Sequence, residues 1–169
     1  GAVGIDYLAN NIGAIRDVRV VASAGSGAIG IAMQRKWPGP ALLQRVEIQG
    51  FDAGISVANS EYGVTLDHVS LAGQRRVGLT NNGNAIAAAD LTISAAETAV
   101  ANNAQGGLVV LTHSKLEAHG PRATMLLNRG TIVAHQLVAD GFDATEASPS
   151  PRTGVWVDKK WQSHPALDF

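Results

Sequence analysis

The chain has 169 residues, with 13 basic and 14 acidic side chains, five histidines and no cysteine. Without cysteine there is no disulfide scaffold, thiolate zinc site or thiol nucleophile, and the near-neutral balance argues against a nucleic-acid partner, which would call for a basic surplus. Hydrophobic residues make up 46% but aromatics only 5%, so the chain is expected to be ordered around small aliphatic side chains; with no run of about 18 apolar residues, no transmembrane helix and no membrane partner are predicted.

Along the chain, short apolar phrases return at near-constant intervals, the mark of a repeat architecture. A first column reads Ile5, Ile31, Ile55, Leu79, Val100 and Leu126, in steps of 26, 24, 24, 21 and 26. A second reads Ile15, Leu43, Val64, Ile86, Val109 and Ile132, and a third Val18, Val46, Val69, Leu91, Leu116 and Leu137. Segments such as Asp17-Val18-Arg19-Val20 and Asp90-Leu91-Thr92-Ile93 alternate polar with apolar, as half-buried strands do. Three short strands per unit, with Gly and Asn at the joints, predict an all-β fold: a right-handed, single-stranded parallel β-helix of about six coils, stacked at roughly 4.8 Å.

The outward columns give the register a check. The residue before the third column reads Asp17, Arg45, His68, Asp90, Lys115, Gln136; the residue after it reads Arg19, Glu47, Ser70, Thr92, Glu117, Val138. Opposite charges then stack at Asp17–Arg45, Arg19–Glu47 and Asp90–Lys115, each favourable by roughly 0.2–1 kcal/mol. Asn81, Asn82, Asn102, Asn103 and Asn128 sit at the corners of the last three coils, where Asn tolerates a left-handed bend and stacks coil on coil.

These phrases carry a resemblance. Gly4-Ile5-Asp6-Tyr7-Leu8-Ala9-Asn10-Asn11, followed by Gly13-Ala14-Ile15-Arg16-Asp17-Val18, and later Trp37-Pro38-Gly39-Pro40, Glu61-Tyr62-Gly63-Val64-Thr65 and Gly73-Gln74-Arg75-Arg76, resemble the pectate-lyase-superfamily (pectin-lyase-like) β-helix. Within it they look most like domains related to family-55 glycoside hydrolases, the β-1,3-glucanases. The resemblance covers about residues 1–143. It implies a secreted protein, extracellular or periplasmic, that acts on polysaccharide, and a second β-helical lobe or another chain as its neighbour. It carries over no catalytic residue: the Asn-Thr-Asp and Gly-His-Gly patterns of polygalacturonases and the Arg-x-Pro-x-x-Arg of pectate lyases are not in the sequence.

Candidate site residues come from the column offsets. Trp37 and Glu61 each lie six residues after their first-column aliphatic, with Tyr62 alongside and Asn82 or Asn84 next, which suits a sugar ring and its hydroxyls or, equally, a corner filled by large side chains. Asp52 and Arg76 each lie three residues before theirs, and Arg75 stacks near Phe51. The arginines suit an acidic sugar, but an Asp52–Arg76 ladder ion pair with Arg75 over Phe51 is favoured. Asp52 and Glu61 are the candidate carboxyl pair for hydrolysis, although nine residues of one coil separate them. His68, His113 and His135 are placed in different columns, so neither a metal nor any other cofactor is expected. Residues 144–169 lose the repeat and are read as a linker, Ser148-Pro149-Ser150-Pro151, then a capping tail in which Val155-Trp156-Val157 forms a strand and Trp156 and Trp161 offer a partner surface. Opening at Gly1 inside an apolar pattern, the chain reads as a piece of a longer polypeptide. Two functions stay open: a segment of a glycoside hydrolase or polysaccharide lyase, and a non-catalytic module for carbohydrate binding, adhesion or assembly.

Overall fold

The alternating phrases become strands that pair with the same phrase one unit later, so that each unit is one coil of a parallel β-solenoid. The structure, a computed structural model, describes residues 1–9, 11–23, 26–95, 97–119, 122–140, 152–157 and 160–163. Coil one is β1 (Ala2–Asp6) and β2 (Gly13–Val21); coil two is β3 (Gly27–Met33) and β4 (Ala41–Gln49); coil three is β5 (Phe51–Ala58) and β6 (Val64–Gln74). Coil four is β7 (Val77–Asn82), β8 (Ala85–Ala89) and β9 (Thr92–Ala95); coil five is β10 (Thr98–Asn102), β11 (Leu108–Thr112) and β12 (Lys115–Ala118); coil six is β13 (Thr124–Asn128) and β14 (Thr131–Asp140). The first strand of every coil joins a six-stranded sheet in the order β1-β3-β5-β7-β10-β13, and the remaining strands form the second sheet. Two short strands follow in antiparallel fashion, β15 (Arg152–Val157) on β14 and β16 (Lys160–Ser163) on β15, which bears out the strand expected at residues 155–157. The Ser-Pro linker at residues 148–151 and the side chains of Trp156 and Trp161 lie outside the described residues. No helix among the described residues is long and apolar enough to cross a membrane.

The first column is in register throughout: Ile5, Ile31, Ile55, Leu79, Val100 and Leu126 pair in turn. The other two slip by two residues at one point each. Leu43 meets Leu66, whereas Val64 meets Ala41; Leu116 meets Ile93, which leaves buried Ser114 beside Leu91, whose amide points at its hydroxyl. A two-residue slip keeps every side chain on its own face, so the core is unaffected. The outward columns do change. Lys115 falls between Thr92 and Val138 rather than beside Asp90, and its ammonium pairs with Glu117 on its own strand. Asp90 instead neighbours His113, because Ala89 pairs with Thr112 and the Asp90 amide donates to the Thr112 carbonyl. The Asp17–Arg45 and Arg19–Glu47 pairs form as expected, at 2.6 and 3.0 Å.

A single residue bends the chain within each unit of the second sheet. Asp17, Arg45, His68, Asp90, His113 and Gln136 stack one per coil, all with φ between +48° and +56°. In β2, β4, β6 and β14 the bend is taken within one long strand; in coils four and five it separates β8 from β9 and β11 from β12. The solenoid thus has three walls, with the core between them.

Inside, facing columns trade volume. A Cβ on Gly78 would lie 2.3 Å from Ile93 Cγ2 and 2.7 Å from the Ala99 carbonyl oxygen, so this position must be bare for Ile93 to fill the centre. On coil six the glycine column has become Met125 and the isoleucine column Ala139, both buried. Gly78→Ala is expected to lower stability by about 1–3 kcal/mol in urea denaturation, because neither neighbour can move aside in a close-packed interior.

The amide ladder expected in the last three coils is present and buried. Asn81 Nδ2 donates to Asn102 Oδ1 at 3.1 Å, and Asn102 Nδ2 to Asn128 Oδ1 at 2.8 Å. In coils two and three the same column holds Met33 and Val57, both fully buried. A shorter outer ladder joins Asn103 Nδ2 to Asn82 Oδ1 at 3.0 Å.

Candidate functional site

Parallel register places residues at equal offsets in a line along the axis. Asp52, Arg76 and Glu97 each stand immediately before the pairing triplet Ala53, Val77 and Thr98, so they occupy consecutive coils on one side of the six-stranded sheet. Together they line a groove of about 420 Å³ on the outer face of that sheet, within the usual range of about 300–1,000 Å³ for ligand clefts. Ile29, Ala53 and Val77 line it along one column, and Thr80, Ala101 and Leu127 along a second. Asn103 contributes an amide. From Ile29 to Thr98 the first column crosses four coils, a length of roughly 14 Å at the coil spacing.

The charges here pair differently from expectation. Arg76 is the backbone neighbour of Asp52, its amide donating to the Asp52 carbonyl at 3.0 Å, yet Arg75 takes the Asp52 carboxylate through Nε at 2.8 Å. The same guanidinium donates to the carbonyls of Gly50 and Gly27 at 2.8 and 2.9 Å. Arg75 therefore ties three coils together, a structural role. The exposed Arg76 guanidinium lies 4.0 Å from Glu97. Each acidic group in the groove stands against a basic one, so the surface is polar but carries no excess of either sign. Glu97 escaped the offset reading although it obeys it, standing three residues before Val100 as Asp52 stands before Ile55 and Arg76 before Leu79.

The other candidates lie at a different corner, between the six-stranded sheet and β4 or β6. Trp37 and Tyr62 turn their coils in the left-handed region, φ +65° and +66°. A Cβ on Gly39 would lie 3.5 Å from that of Tyr62, so the register sets Tyr62 against Gly39 rather than Glu61 against Trp37. Trp37, Glu61 and Tyr62 are all exposed, and the Lys36 ammonium covers the Trp37 ring at 4.8 Å. A shallow hollow nearby, about 250 Å³, is lined by Ile12, Pro40, Leu42, Gly63 and Thr65 among others, and is largely apolar. Asn82 is exposed and holds the outer ladder. Asn84 is buried: its amide donates to the Asn59 carbonyl at 2.7 Å and its backbone N–H to Asn81 Oδ1 at 2.8 Å, which makes it a strut of the corner. Asp52 and Glu61 lie at opposite ends of β5, Asp52 in the groove and Glu61 at this corner.

The chain matches no family profile, no curated protein and no solved structure. Its architecture is a parallel β-solenoid of about six coils.

Proposed function

We propose that this chain is a carbohydrate-binding β-solenoid segment of a secreted polysaccharide-acting protein, and that the glycan lies along the groove of the six-stranded sheet. The observation that carries this reading is the groove itself: small apolar side chains at the coil spacing, bordered by Asp52, Arg76, Glu97 and Asn103. Such a surface offers contact to sugar C–H faces and hydrogen bonds to hydroxyls over several units of an extended polymer. Its balanced charge favours an uncharged glycan over a polyuronate, whose carboxylates would need unpaired guanidinium groups.

A catalytic version has one observation in its favour. Asp52 and Glu97 flank Arg76 two coils apart, roughly 9.6 Å along the axis, near the upper end of the separation of about 6.5–9.5 Å used by inverting glycosidases. Binding fits better, because a general acid works from an apolar, desolvated pocket, whereas the side chain of Asp52 is 42% exposed and that of Glu97 66%.

Titration against laminarin and polygalacturonate, with a reducing-sugar assay beside it, tests the proposal. Laminarin is expected to bind better than polygalacturonate. Arg76→Ala combined with Asn103→Ala should weaken binding at least tenfold, while Trp37→Ala and Glu61→Gln leave it unchanged. Loss with Trp37→Ala alone would move the site to the corner, and no binding to either glycan would remove the carbohydrate reading. Sugar release abolished by Glu97→Gln would establish the catalytic version.

A further inference from the structure

On a wall away from the groove, the line of left-handed bends brings His68, Asp90 and His113 to consecutive coils. The two-residue correction in register creates this line, since it puts His113 where Lys115 was expected. His68 is held from behind. Its Nδ1 lies 2.6 Å from Asp67 Oδ1, and the other Asp67 oxygen accepts from Gln44 Nε2 at 2.6 Å. A carboxylate only accepts, so Nδ1 carries the proton. The Nε2 atom then faces Asp90 Oδ2 at 3.7 Å. One donor atom each from Asp67, His68 and Asp90 lies within 4.8 Å of the others, and the Nε2 and Asp90 oxygen are spaced to share one cation. Two donors each about 2.1 Å from a tetrahedral zinc stand about 3.4 Å apart, close to the separation observed.

We propose that His68 Nε2, Asp90 and His113 form a surface site for a first-row transition-metal ion, with zinc as the representative, and that Asp67 orients His68 for it. His113 is exposed, its ring edge-on against His135 at 5.5 Å and not among the donors that already converge; ligation would require it to rotate about its side-chain bonds. Water completes the coordination, as at open zinc sites. Two imidazoles and a carboxylate select zinc, copper or nickel over calcium and magnesium, which require mainly oxygen donors. Asp67 supplies the carboxylate that commonly backs a metal-bound histidine. Gln44 and His68 both donate to the Asp67 carboxylate, which fixes it behind the imidazole. Arg45, the neighbour of His68 on the preceding coil, is drawn off by both oxygens of Asp17 at 2.6 and 2.9 Å.

Isothermal titration of the full chain with zinc chloride in a non-chelating buffer, with histidine ring resonances followed by NMR, tests this. One equivalent of zinc is expected to shift the His68 and His113 rings and leave His119 unmoved. His68→Ala should abolish the heat of binding, His113→Ala should weaken it at least tenfold, and Asp67→Asn should weaken it about 10–100-fold. All three positions are exposed or half-buried, so unchanged circular dichroism will show that these variants fold. No binding by the unmodified chain, binding retained in His68→Ala or in His113→Ala, or calcium binding more tightly than zinc would each overturn the proposal.

Discussion

Val69→Asp is expected to abolish cooperative unfolding, or to lower stability by about 4 kcal/mol or more in chemical denaturation. Val69 is 1% exposed and sits in the core column between Val46 and Leu91. An aspartate there would bring a charge into a space lined by aliphatic groups, with no partner in reach. The effective penalty for burying one ion is several kcal/mol even after relaxation, against a native margin of about 5–15 kcal/mol for a whole domain. The damage is not local, because each coil of a solenoid is stabilised only by its two neighbours; breaking coil three separates coils one and two from the rest. Thr92→Asp is the matched control. Thr92 is exposed and lies beside Lys115, so the new charge meets water and a cation, and the effect should stay within about 0.5 kcal/mol. A Val69→Asp chain that keeps the unmodified midpoint would show that this column is not the core.

Asn102→Ala is expected to cost about 2–4 kcal/mol, an unusually large effect for a polar residue. Asn102 is fully buried in the middle of the ladder. Its oxygen accepts from Asn81, and its amide donates to Asn128 Oδ1 and to the Gly107 carbonyl at 3.0 Å. Truncation removes all of these bonds at once and leaves partners on two other coils under-satisfied in a dry interior, where each such loss costs about 1–3 kcal/mol. Asn82→Ala removes one bond of the exposed outer ladder and should cost under about 1 kcal/mol. Urea titrations of the two variants side by side make the comparison. Equal midpoints would mean that the inner ladder contributes no more than the outer one.

How much of this was legible in the sequence depended on how each column is encoded. The first column could be read in full because one large aliphatic marks it in every unit, and the Asn ladder because it keeps a fixed offset of two from that column. The second and third columns were ambiguous where two inward positions stand two residues apart, as Ala41 and Leu43 or Val64 and Leu66 do. Alternation fixes the face but not which of the two positions pairs across. Ser114 produced the other slip: a buried serine occupies an aliphatic column, and the eye passes to Leu116. That slip also separated His113 from His68 and Asp90, so the histidines looked scattered. Backbone register correctly set Arg76 beside Asp52, but Arg75 captures the carboxylate, because side-chain reach is not encoded in spacing. The groove itself was hidden, since it is made of residues such as Ala53, Val77 and Ala101 that carry no chemical signature.

The six stacked bends load one edge of the solenoid with conformational strain. A side-chain-bearing residue held in the left-handed region costs about 1 kcal/mol, so six amount to roughly 6 kcal/mol, comparable with the entire stability of a small domain. Glycine takes positive φ without the penalty, as it does elsewhere at Gly50, Gly73 and Gly83. None of the six bends is a glycine. Along this edge the chain carries a standing energetic load in exchange for polar side chains, five of the six of them charged or imidazole and exposed, which makes chemistry, rather than ease of turning, the property that distinguishes these positions.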